Sequence, residues 1–260
     1  MFAEGNEPPH ESPCQSGTAV FFSNPLMSDV ESDWSPVHDA AFNGRLLALQ
    51  RLIAQANSST VGGETPLSEA CARGHVSCVS LILQHGGSPS GISHSSSPIH
   101  RAAEKGQTEC LEPLVQHGAD VDQHISQSGV PLHVACSNQH LGTVKKLLRL
   151  GASVNNCASG ESPLHTATRL SNPELVSILL DHGAAPSLRN NEGKHPLDLA
   201  PPDSLVARLL RQGGVSPLMQ LCRLHIRKTL GKQRLAEIHK LHLPAEVKEY
   251  LLYHSEPLSS

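Results

Sequence analysis

Seventeen histidines and seven cysteines supply enough nitrogen and sulfur donors for a metal centre or an activated nucleophile, so their spacing comes first. A zinc site needs donors that converge, through a C-x-x-C pair or two His four apart with a Glu between them. Cysteines 14, 71, 78, 110, 136, 157 and 222 form no C-x-x-C pair. His38, His100, His133 and His165 recur at intervals, and His85, His117 and His182 each precede a glycine. That is a period and not a cluster, and it predicts imidazoles bonded to the chain's own backbone. No G-x-G-x-x-G, P-loop or G-x-S-x-G is present. The expectation is a chain with no catalytic residue, no metal and no cofactor. The spacing that does carry chemistry is apolar. Leu218, Leu221, Cys222 and Ile226 share one helical stripe, with Arg223, Arg227 and Lys228 largely opposite. Further on, Pro244 opens a short helix with Val247, Tyr250 and Leu251 on its apolar side. Some forty residues bury little by themselves, so such a stripe either wants a partner or serves as a structural cap.

What must position these residues is a repeat. One phrase recurs: Ser35-Pro36-Val37-His38-Asp39-Ala40, Thr65-Pro66-Leu67-Ser68-Glu69-Ala70, Ser97-Pro98-Ile99-His100-Arg101-Ala102, Val130-Pro131-Leu132-His133-Val134-Ala135, Ser162-Pro163-Leu164-His165-Thr166-Ala167 and His195-Pro196-Leu197-Asp198-Leu199-Ala200. The prolines at 36, 66, 98, 131, 163 and 196 fix a spacing of 30 to 33 residues. Ser or Thr before Pro is a helix start, Pro suiting the first turn where its missing N–H goes unused. Gly44, Gly74 and Gly106 end the first helix of their copies. Second apolar stretches at 46–53, 76–83, 108–115, 141–148 and 174–180 close at Gly86, Gly118, Gly151 and Gly183 where a glycine follows. Asn138-Gln139 and Ser171-Asn172 stand where copies four and five lack the helix-ending Gly, and Pro201-Pro202 shortens copy six. Neither helix of a pair can bury its apolar side alone, so stacking is required.

Composition bounds the rest. Formal charge is −4, and only one Trp, two Tyr and four Phe are present. That argues against a phosphate-backbone binder or a base-stacking platform, so no nucleic acid is expected. No apolar run approaches the ~20 residues of a membrane span, so no membrane is expected either. Residues 1–13 carry three Glu and no basic leader, and the odd, scattered cysteines read as reduced thiols. Residues 1–33 are expected to be a mostly disordered tail. Phe21, Phe22, Leu26, Met27 and Trp34 form an apolar cluster there that either caps the first repeat or inserts into a partner.

Each copy resembles an ankyrin repeat, and the C-terminal segment resembles a SOCS box. Leu218-x-x-x-Cys222-x-x-x-Ile226 is similar to an elongin-C-binding BC box. Leu241-His242-Leu243-Pro244-x-x-Val247-x-x-Tyr250-Leu251 is similar to a cullin box, with His242 standing where the family usually has Pro. In this order the modules resemble the ankyrin repeat and SOCS box family. The resemblance implies an all-α fold: an ankyrin solenoid of about six repeats at 34–212, then a small helical SOCS box at 215–254, its BC box at 217–228 and cullin box at 241–251. It implies a non-catalytic substrate receptor of a cullin-RING ubiquitin ligase, with elongin B and C and a cullin scaffold with its RING protein as partners. Leu218, Leu221, Cys222 and Ile226 would meet elongin, and Leu243, Pro244, Val247 and Tyr250 the cullin. The target, creatine kinase by the same resemblance, would lie on the concave face, where Asp39, Glu69, Arg101, Val134 and Thr166 vary between copies; Phe21 and Phe22 are further candidates. Cytoplasmic residence is expected, with nuclear or mitochondria-associated pools as extensions. The competing reading is a plain ankyrin scaffold or inhibitor whose C-terminal segment is only a cap.

Overall fold

Helices begin where the repeated phrase places proline. The computed structural model describes residues 35–55, 57–60, 63–91, 96–126, 128–212, 218–235 and 237–252; the side chains at 218–220 and 232–234 are not among those described. The first helices of the six repeats are α1 (Pro36–Phe42), α3 (Pro66–Arg73), α5 (Pro98–Lys105), α7 (Pro131–Ser137), α9 (Pro163–Arg169) and α11 (Pro196–Leu199). Their partners are α2 (Leu46–Leu52), α4 (Val76–Gln84), α6 (Thr108–Gln116), α8 (Leu141–Arg149), α10 (Pro173–Asp181) and α12 (Leu205–Gln212). The shortening of α11 coincides with Pro201-Pro202, yet α12 still completes the pair and buries Val206, Ala207 and Leu210. Between pairs, the described hairpins carry only the isolated bridges Ile125–Gly129 and Ala158–Glu161.

The core runs continuously through the stack. In copies two to five the residue after the proline (Leu67, Ile99, Leu132, Leu164) and the alanine three further on (Ala70, Ala102, Ala135, Ala167) are fully enclosed. Each large aliphatic so buried contributes about 1.5–3 kcal/mol, and alanine lets neighbouring first helices approach closely. Copies four and five keep the helix-ending geometry without glycine: Gln139 and Ser171 take the left-handed conformation at φ 57° and 51°, where Gly74 sits at 78°. The backbone demand is the same, and the strain of a side chain there is absorbed by the packed repeats on either side.

The histidines are staples. Ser35, Ser97 and Ser162 hydroxyls lie 2.9, 2.8 and 2.7 Å from Nδ1 of His38, His100 and His165. On the far side of each ring, Nε2 lies 3.1–3.2 Å from the carbonyls of Glu64, Gly129 and Lys194 in the next hairpin. A carbonyl only accepts, so Nε2 carries the proton and the bare Nδ1 accepts from serine. His75 and His140 reach the other way, donating to the carbonyls of Phe42 and Glu104 in the preceding repeat. Copy two, where Ser68 replaces the His, closes instead with a reciprocal Thr65–Ser68 capping box.

Candidate docking face

Beyond the stack, α13 (Leu218–Leu235) runs to a break at Gly231, whose φ of 71° and ψ of 169° no helix accommodates. A 3₁₀ turn, Ile238–Lys240, and α14 (Ala245–Leu251) follow, the latter starting after Pro244. Leu235, Ile238, Leu251 and Leu252 close a small core of their own, with Leu230 at its edge.

The amphipathicity of α13 is inverted. Its apolar side faces outward: Leu221 is 52% and Ile226 40% exposed, and Cys222 is exposed beside them. Its cationic side faces inward, with Arg223 6% and Arg227 9% exposed. Arg227 donates through Nη1 to the Leu251 carbonyl at 2.7 Å and through Nη2 to the carbonyls of Leu148 and Arg149 at 2.8 and 3.1 Å. Those oxygens end α14 and α8, where helix carbonyls lack partners and the dipole is negative, so a buried guanidinium is satisfied there. Arg223 stacks 3.7 Å over the Tyr250 ring. Leu224 lies over Gly183, where any side chain would collide with it. With its inner face held by the stack and α14, the helix presents its aliphatics to solvent.

The cationic pocket marks its neighbours. His182 donates from Nδ1 to the Ile178 carbonyl at 2.8 Å, and its Nε2 is shut off from solvent. Burial pushes its pKa down to about 4, with the charges of Arg227, Arg223 and Arg149 adding to the effect. Burial raises Asp181, against the pull of Arg223.

Leu243, Pro244 and Val247 form a second exposed apolar patch around the start of α14, with Leu241 beside it. Tyr250, expected among the cullin-facing residues, is instead enclosed beneath Arg223, because the aromatic face is what accommodates that buried cation. Of the elongin-facing set, the side chain of Leu218 lies outside the described residues, while Leu221, Cys222 and Ile226 come together on one surface. The inward role of the two arginines is not visible in the sequence, where they form only the opposite side of the stripe.

On the stack, the residues expected to face a target divide. Asp39 is partly exposed and pairs with Arg45. Glu69 is buried, and its carboxylate takes Arg101 of the next repeat at 3.0 Å; Arg101 also holds Glu104. These two are a staple between repeats, with both terminal nitrogens of Arg101 taken by carboxylates. Val134 is buried but lines a cleft of about 670 Å³ with His133, Asn138, Glu161, Asn190 and Asn191. Thr166 bonds the Nε2 of His133 at 3.1 Å. Here Val130 stands where the other copies with this His (Ser35, Ser97, Ser162) have Ser, so Nδ1 of His133 has no hydroxyl to accept from and no hydrogen-bond partner among the described residues. The ring turns to the cleft, and burial lowers its pKa. That lost serine is a signal in the sequence that points to His133. Phe21, Phe22, Leu26, Met27 and Trp34 lie outside the described residues. Among the described residues no cluster of three or more His, Cys, Asp or Glu could hold a metal ion, and no helix is long and apolar enough to cross a membrane.

A helical solenoid ending in a helix with its apolar side turned out defines a class: a repeat-built binding module carrying a separate dock for a second protein. Comparisons specify it. The ankyrin-repeat profile matches residues 37–125 and 132–220, and the SOCS box profile residues 214–252. Ankyrin repeat and SOCS box protein 9 is 41% identical in Homo sapiens, over 89% of this chain and 91% of the relative, and 43% identical in Mus musculus, over 90% and 93%. Among solved structures, the ankyrin repeat domain of human ASB11 aligns at 38% identity with a TM-score of 0.60, covering 71% of this chain and all of that one. The ankyrin repeat domain of Bcl-3 aligns at 28% identity with a TM-score of 0.65, over 70% and 87%. The chain belongs to the ankyrin repeat and SOCS box family, and the SOCS box supports a substrate-adaptor role with cullin-RING ligases.

Proposed function

We propose that this chain is the substrate-recognition subunit of an elongin BC–cullin-RING ubiquitin ligase, non-catalytic in itself. The observation that carries the reading is α13, whose aliphatics face solvent while its arginines are buried. A helix acting only as a cap for the stack would turn the other way. Leu221, Cys222 and Ile226, with Leu218, dock elongin C; Leu243, Pro244 and Val247 face the cullin. The target lies along the concave side, where the cleft at His133 and Val134 offers polar groups and space. The work is positional: binding two proteins through one rigid chain raises the effective concentration of target lysines near a ubiquitin-loaded enzyme. Creatine kinase is the proposed target, on family resemblance, and the cytoplasm the proposed compartment, on the odd, scattered cysteines.

Affinity purification of the full chain from cells, followed by mass spectrometry, tests this. Elongins B and C, a cullin and its RING protein are expected with the wild type and lost from a Leu218→Ala, Cys222→Ala variant. Undiminished recovery by the variant would overturn the reading in favour of a plain ankyrin scaffold.

A further inference from the structure

We infer that Arg227 is a positioning residue that locks the angle between the target-holding stack and the docking helix. The inference rests on the adaptor reading and adds to it: a receptor must fix direction as well as proximity, and direction depends on how α13 meets the repeats.

Three elements meet at one guanidinium. Arg227 belongs to α13, and its partners are the last residue of α14 and the last turn of α8 in the fourth repeat. The partners in α8 lie 79 and 78 residues away along the chain, so the contact joins the two modules directly. A planar fork with several donors at fixed angles can donate to these three carbonyls in one arrangement only. Rotating α13 about the stack would strip the buried cation of those oxygens, so the cost of rotation is steep. Neighbouring contacts reinforce the lock: Arg223 over Tyr250, and Leu224 over Gly183. Ile226 sits one residue before the clamp, about 100° round the helix, and is exposed where Arg227 is buried, so one helix carries both the outward stripe and the lock.

The chain carries its own reporters. Cys157, in the hairpin before α9, and Cys222, on α13, are exposed, whereas Cys71, Cys78, Cys110 and Cys136 are buried. In a Cys14→Ser background, nitroxides at 157 and 222 report the separation of the two modules by pulsed electron paramagnetic resonance. One narrow distance is expected, becoming about twofold broader in Arg227→Ala as the modules rotate freely. Arg227→Lys keeps the charge but not the fork; it should fall between, and it guards against simple unfolding of the alanine variant. The second readout, on unlabelled protein, is the pattern of ubiquitin on the stack's own Lys105, Lys145, Lys146 and Lys194 in a ligase reconstituted with elongins B and C, cullin and RING protein. The pattern should spread in Arg227→Ala although elongin affinity holds within about twofold, since Arg227 does not face that surface. An Arg227→Ala chain with wild-type distances overturns the clamp and leaves the adaptor reading standing; broadened distances with an unchanged lysine pattern reduce it to a structural contact and overturn its positioning role. Wild-type protein that captures no elongin overturns the adaptor reading itself.

Discussion

Truncating the outer face of α13 should separate binding from stability. Leu221 and Ile226 keep about half and two-fifths of their surface in water. Full burial of an aliphatic side chain contributes about 1.5–3 kcal/mol, so covering what remains of these two contributes about 1 kcal/mol each. A Leu221→Ala, Ile226→Ala variant therefore loses about 2 kcal/mol of docking energy, about 30-fold in Kd. The free chain should not suffer: neither side chain is part of the core, alanine is the best helix former, and Tm should stay within about 2 °C. Calorimetric titration of purified elongin B–C into wild type and variant, with thermal melts of each alone, gives both numbers. A loss in affinity under about threefold, or a Tm drop of several degrees, would refute the reasoning, because either result means that these residues pack against the chain itself.

Two further predictions concern the histidines. His182 should make the chain acid-sensitive: its folded pKa of about 4 lies below the ordinary 6.5, so its contribution is whole above pH 6.5 and is lost as pH falls toward 4. Allowing for the ring's partial contact with solvent, that is about 2 kcal/mol. His182→Leu, which copies Leu150 of the preceding repeat, should flatten the urea midpoint between those pH values relative to wild type; an identical pH profile would contradict the assignment. His100→Ala should destabilise by about 3 kcal/mol through two lost buried hydrogen bonds and a cavity. His133→Ala, lacking the serine contact and facing the cleft, should lose less than about 1 kcal/mol. Equal urea midpoints for the two variants would contradict the division between staple and cleft histidines.

The repeat was legible because each of its signals is local. Ser-Pro starts, the enclosed Ala and the glycine ends act within a few residues, and the second helices fall within a residue or two of their expected bounds. The exposed apolar stripe of α13 was legible for the same reason, as Leu221, Cys222 and Ile226 are neighbours on one helix. Tertiary partners were not. Arg227 reads as a solvated cation until packing brings the ends of α8 and α14 to it. Glu69 reads as a variable surface position until Arg101 from the next repeat covers it. Tyr250 belongs to the apolar side of α14, but its ring is taken by Arg223. In each case the deciding partner lies 24 or more residues away, and periodicity is silent about such pairs.

Thiol footprinting reaches the docking surface most directly. Cys222 sits in the outward stripe and Cys157 on the hairpin before α9, both exposed. Alkylation followed by peptide mass spectrometry, with and without excess elongin B–C, should show Cys222 protected by more than about tenfold while Cys157 reacts at an unchanged rate. Equal labelling of Cys222 in the presence and absence of elongin B–C would contradict the account.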